Sequence, residues 1–172
     1  PGGMMGGFNQ PPAGATRLTI EQAIERANTG LPAGLEVKEV MEFSDNFYVV
    51  VTEAESGRGA YELLIDPFTG QIGSEPGPNM MWNQKYGHMG QGMMGGAPQT
   101  GDNTVTFEQA RDAAQAALDT RLPGATVHTD GTTFYGYYTF DYDFNGQIAG
   151  MLSVNGYTGQ IWMHTWHGTF VQ

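Results

Sequence analysis

The chain has 172 residues and a formal net charge of −11, with 7 Lys and Arg against 18 Asp and Glu and no cysteine. So few and scattered basic residues argue against a nucleic-acid partner, since neutralising phosphates takes clustered Lys and Arg. The lack of cysteine excludes disulfides, iron–sulfur clusters, thiolate zinc and covalently attached haem. Hydrophobic residues make up 40% and aromatic ones 12%, with 26 glycines and 9 prolines. That suits a packed core with many turns, in one domain or two small ones. No apolar run approaches the roughly 20 residues of a membrane span. No signal peptide is visible, and a chain starting at Pro1 is read as processed or trimmed. An acidic, lysine-poor chain rich in Gly and Tyr suits an exported protein.

In chain order, residues 1–17 form a Gly/Met/Pro-rich leader in which Met4, Met5 and Phe8 are the large apolar side chains. LTIEQAIERA (18–27) predicts a helix. Thr19 and Gln22 make an S/T-x-x-E/Q capping box, and Ile20, Ala23, Ile24 and Ala27 recur at helical spacing. The helix ends before Leu31-Pro32, because proline restricts its predecessor. FYVVVTEA (47–54) and YELLID (61–66) predict paired strands across Ser56-Gly57-Arg58-Gly59. DPFTGQI (66–72) then supplies a turn residue, a glycine for positive φ, and a strand.

Residues 78–104 return to Gly, Met and His, and VTFEQARDAA (105–114) opens a second capped helix with Thr106 and Gln109. Phe107, Ala110, Ala114, Ala117 and Leu118 form its apolar stripe, and Leu122-Pro123 ends it. In FYGYYTFDYDFNGQIAGMLSV (134–154), Tyr138, Phe140, Tyr142 and Phe144 alternate with Thr139, Asp141, Asp143 and Asn145. This predicts a half-buried strand running into an Asn145-Gly146 hairpin turn. NGYTGQI (155–161) closes the series.

The order is that of two copies. LTIEQAIERA answers VTFEQARDAA at an offset of 87, and DPFTGQI answers NGYTGQI at 89. Met4-Met5 and Met93-Met94 are also 89 apart, so the leader belongs to the same period. The expected organisation is leader 1–17, module 18–77, linker 78–104 and module 105–172. Each module is expected to be α+β, one helix on a small antiparallel sheet.

The capped LTxEQA helix, the Leu-Pro, the two-strand return and the closing D-P-x-T-G-x-I resemble the PepSY domain. Tandem copies would cover 16–72 and 103–167. The motif is complete at Asp66 to Ile72 and departs at Asn155-Gly156, which lacks both Asp and Pro. The resemblance implies a cystatin-like α+β fold and an extracytoplasmic, non-enzymatic module. Its relatives occur in propeptides of thermolysin-like metallopeptidases and in cell-envelope proteins, so a peptidase partner is implied.

Two segments concentrate donor atoms. PNMMWNQKYGHMGQGMMGGAP (78–98) holds His88, Met89, Met93 and Met94, and IWMHTWHGTF (161–170) adds His164 and His167. Thioethers with imidazoles are the ligand set of copper, above all Cu(I), which makes these six the candidate metal ligands. The other reading is that the methionines fill gaps under a linker and the His and Trp side chains pack. Asp141-x-Asp143-x-Asn145-Gly146 imitates the opening of a calcium loop, but Leu152 in twelfth position cannot supply the bidentate carboxylate. No G-x-S-x-G elbow surrounds a serine and no phosphate-loop pattern is present, so an enzyme is not expected. His128 reads as a strand residue.

The duplicated leader raises a second possibility. Leader two must lie along the end of module one, and leader one has no preceding module of its own. Docked on a neighbour, it would join copies head to tail as rings or filaments. Met4, Met5, Phe8, Trp162 and Trp166 are the candidate interface. The other reading is a Gly/Met spacer inherited with the duplication. Three classes of function stay open: a self-assembling structural protein, a soft-metal binder and a peptidase modulator.

Overall fold

A computed structural model describes residues 11–87 and 101–172. Met4, Met5, Phe8, His88, Met89, Met93 and Met94 lie outside the described residues. The helices among the described residues are α1 (Ile20–Asn28), α2 (Pro78–Met81) and α3 (Phe107–Arg121). Thr19 Oγ1 accepts from the Gln22 amide at 3.3 Å, and Gln22 Oε1 accepts from the Thr19 amide at 2.9 Å. Thr106 and Gln109 repeat this at 3.1 and 2.9 Å. Each predicted capping box is therefore present and contributes about 1 kcal/mol.

The chain divides into two compact units, residues 1–76 with 165–172 and residues 77–164. In the first, α1 packs on an antiparallel sheet ordered β1 (Leu35–Glu42), β2 (Phe47–Glu53), β3 (Gly59–Ile65), β4 (Ile72–Ser74). Ala23 and Ala27 are buried, whereas Ile24, predicted on the same apolar stripe, is 41% exposed. Small side chains let a helix approach a sheet closely, and the larger Ile24 is left at the margin. Phe47 to Val51 of β2 are buried on both faces, so this strand is the centre of the core.

In the second unit, α3 packs on a sheet ordered β5 (Thr126–Val127), β7 (Tyr137–Phe144), β8 (Gln147–Asn155), β9 (Ile161–Met163), with β6 (Thr132–Thr133) also paired to β7. Ala110, Ala114 and Leu118 meet Val127, Phe140, Leu152 and Val154 in its core. Asn145 and Gly146 have φ of 54° and 81°, the two positive values a tight hairpin turn requires. The predicted in/out alternation of β7 holds only in its outer half. Tyr137 and Thr139, on the face expected to meet solvent, are buried as fully as Tyr138 and Phe140. Tyr137 stacks on Phe134 at 4.6 Å, and Thr139 bonds to Ser153. Both fold-class expectations hold: each unit is α+β, with its helix on an antiparallel sheet.

The two closing turns have one construction. Asp66 Oδ1 accepts from the amides of Phe68 and Thr69, and Asn155 Oδ1 accepts from those of Tyr157 and Thr158. Gly70 and Gly159 follow at φ of 72° and 75°. The segment before each helix is tied to its turn, Leu18 N–H to Pro67 O at 2.7 Å and Val105 N–H to Gly156 O at 2.8 Å. Ile65 then pairs with Ile72, as Val154 pairs with Ile161.

Residues 165–172, attached by the sequence repeat to the second module, pack in the first unit. Phe170 bridges to Phe43, and Glu42 N–H donates to Gln172 O at 2.7 Å.

Candidate functional site

The richest buried polar cluster of the first unit forms where residues 165–172 meet the turn between β1 and β2 and the residue after β4. That residue is Glu75, whose amide donates to Glu62 O at 3.0 Å. Its Oε1 lies 2.9 Å from His167 Nε2 and accepts the Trp166 indole N–H at 3.1 Å. The other imidazole nitrogen, Nδ1, lies 2.9 Å from Asn46 Oδ1. Asn46 Nδ2 donates to Trp166 O at 2.9 Å, which orients the amide so that its oxygen faces the ring. Both imidazole nitrogens thus face acceptor oxygens, Nδ1 the Asn46 amide and Nε2 the Glu75 carboxyl. Glu75 is 0% and His167 3% exposed, so each offsets a charge the other could not hold alone away from water.

Aromatic rings frame the pair. His167 stacks on Phe43 at 4.6 Å and meets Tyr48 edge-on at 5.4 Å, and Phe170 packs edge-on to Phe43 at 5.6 Å. Tyr48 Oη donates to the buried Glu62 Oε1 at 2.5 Å. Chemically the arrangement does two things. It recognises an extended segment through an imidazole, an indole and backbone groups. It also holds a carboxyl oxygen and an imidazole nitrogen, two metal-ligand types, 2.9 Å apart, with Asn46 and Trp166 as outer partners.

In the second unit, Thr139 Oγ1, Ser153 Oγ and His164 Nε2 form a hydrogen-bonded chain with both steps at 2.8 Å. Ser153 is 0% exposed, so this Ser–His contact fills the core with satisfied polar groups rather than presenting a nucleophile. His128, just past β5, donates its backbone N–H to Asp141 O at 2.9 Å and sets Nε2 2.7 Å from Asp143 Oδ1. Partial burial alone would lower its proton affinity. The hydrogen bond and charge of Asp143, with the charges of Asp141 and Asp130, outweigh it and push the ring above the usual imidazole range. The calcium-loop imitation is thus a hairpin whose Asp143 is engaged by a histidine.

Of the candidate metal ligands, His167 lies in the first unit on Glu75 and Asn46, and His164 in the second on Ser153. His88, Met89, Met93 and Met94 fall outside the described residues. Of the candidate interface residues, Trp162 meets Trp82 edge-on at 5.3 Å within the second unit, and Trp166 binds Glu75 within the first. Met4, Met5 and Phe8 again lie outside. Sequence reasoning missed Glu75 and Asn46. Neither belongs to a motif, and the one available signal was that Glu75 stands 89 positions before His164.

The capped α1, the paired strands and the Asp66 turn together form a continuous block from Arg17 to Ser74. Residues 17–74 match the PepSY family, Peptidase propeptide and YPEB domain. The PepSY match ends one residue before Glu75, so the cluster around His167 combines family positions with chain beyond them. Among solved structures, the Bacillus megaterium YpeB C-terminal domain aligns over 84% of this chain at 9% identity, with a TM-score of 0.31. The chain spans 61% of that structure's length. No curated protein matches the chain. No helix among the described residues is long and apolar enough to cross a membrane.

Proposed function

We propose that the protein is an exported, non-catalytic structural and binding protein in which a PepSY-type unit is written twice and which associates with copies of itself. The observation that carries this reading is the make-up of the first unit. It is completed by a segment, 165–172, that follows the second unit in the chain. A fold that seats such a segment through backbone pairing and buried anchors is suited to binding chain segments generally. In descent the chain is leader 1–17, module 18–77, linker 78–104 and module 105–172, and the leader is a further proposed contact between copies. Light scattering and electron microscopy of the full chain test the reading, with a chain lacking residues 1–15 isolating the leader's share. Concentration-dependent growth in particle size is expected. A monomer at every concentration rejects the reading.

Two other readings each have one supporting observation. The Glu75–His167 pair favours metal binding, with His88, Met89, Met93, Met94, His164 and His167 as candidate ligands and copper as the metal. Stoichiometric Cu(I) uptake that falls in H164A and H167A supports it, and no uptake removes it. The PepSY match favours peptidase modulation, tested by inhibition of a co-secreted metallopeptidase.

A further inference from the structure

The socket that receives residues 165–172 is lined by Glu42 to Asn46 and Glu75 of the first unit. Arg17 holds the turn between β1 and β2 from beneath, donating to Glu42 Oε1 at 3.0 Å and to the carbonyls of Phe43 and Ser44 at 2.6 and 3.0 Å. The other oxygen of Glu42 receives Gln172 Nε2 at 2.8 Å. Backbone pairing continues along the turn. Ser44 N–H donates to Thr169 O at 2.7 Å, Thr169 N–H to Ser44 Oγ at 2.8 Å, and Asp45 N–H to His167 O at 3.1 Å. The side chains of His167 and Phe170 are the anchors, on Glu75, Asn46 and Phe43. Apart from the Arg17 bonds, which lie within the socket, each of these contacts is made by the segment's own atoms. The socket therefore reads the segment's sequence and not which copy carries it.

We propose that segment 165–172 of one copy seats in the socket of a second copy, on residues 42–46 and Glu75, and that this exchange joins copies. The inference rests on the self-association reading and specifies its contact. Docking within one chain has an effective concentration of about millimolar, so exchange competes with it at millimolar protein or in a locally crowded assembly. Reciprocal exchange closes a dimer, and one-way exchange propagates as a ring or filament.

The test uses full-length chains, which have no native cysteine. Ser44 and Thr169 are exposed and face each other across the pairing, where cross-strand side chains approach closely enough for a disulfide. The double variant S44C/T169C, oxidised with glutathione disulfide when dilute, should close within the monomer. Failure to close would mean the socket is not occupied as described and would overturn the proposal. Chains carrying S44C alone and T169C alone are then mixed at about millimolar concentration, the regime where exchange competes, and oxidised. A covalent S44C–T169C heterodimer should exceed a collision control, S44C with the exposed T120C, by about tenfold, an excess equivalent to about 1.4 kcal/mol. Adding H167A to the T169C chain should remove most of that excess. Yields equal to the control while light scattering shows association would reject exchange and leave the association reading standing. Equal yields with no association would reject both.

Discussion

The turn at residues 66–72 and the turn at 155–161 share one hydrogen-bond scheme, yet the first has Asp-Pro where the second has Asn-Gly. Both acidic and amide side chains present an acceptor oxygen to the two following amides, so the backbone is indifferent to the exchange. The residues after the last strands are not interchangeable in this way. Glu75 in the first unit holds His167 and Trp166, while His164 in the second ends a chain through Ser153 to Thr139. The two units therefore keep their backbone scheme and differ in their buried polar chemistry. That chemistry is where the particular function of each is to be sought.

The sharpest way to break the comparison is E75A. It leaves His167 buried without its carboxylate, and the first unit should lose about 3–5 kcal/mol, read from denaturant unfolding. The double variant E75L/H167F should lose much less than the sum of its singles, because the charge and its partner leave together. S153A should cost the second unit only about 1 kcal/mol, since it removes a hydroxyl from a neutral chain.

Next come the turns themselves. D66A should cost about 1.5–3 kcal/mol and N155A about 1 kcal/mol, because an ionised acceptor is lost in one and a neutral one in the other. D66N and N155D should each be milder than the alanine variants, measured by the same unfolding curves. The glycine four positions on sharpens the contrast. G159A, with open space around a new Cβ, should cost about 1–2 kcal/mol of left-handed backbone strain alone. G70A adds a contact 2.4 Å from the Arg26 guanidinium and should cost slightly more, the long side chain moving aside.

The smallest expected effect is the pH dependence at His128. Its folded-state pKa is raised, so the protonated ring stabilises the fold fully below the unfolded value of about 6.5. That contribution disappears as pH rises through the raised folded value. Wild type should therefore exceed H128Q in stability at pH 5 by more than at pH 9. Equal differences at both would show that Asp143, Asp141 and Asp130 do not act on the ring.

Much of the architecture was legible in the residues. The two capping boxes, the Asn145-Gly146 hairpin and the closing turns all depend on neighbours within a few positions. Local geometry is dictated by such neighbours, whatever surrounds them. Three expectations show where this stops. Helical spacing put Ile24 on the packed stripe, but the close approach permitted by Ala23 and Ala27 left it exposed. Alternation put Thr139 toward solvent, but Ser153, itself bonded to His164, gave its hydroxyl a buried partner. The histidine-rich ending suggested metal ligands without indicating Glu75 or Asn46, which lie 92 and 121 positions before His167.

What the sequence determined by itself was local: where helices begin, where strands reverse, and which turns need an Asx side chain and a glycine. Only the tertiary structure decided that residues 165–172 would leave the second unit and complete the first. Burying a carboxylate or an imidazole alone is prohibitive, so their meeting depends on long-range packing that brings both to one place. No local pattern records that meeting.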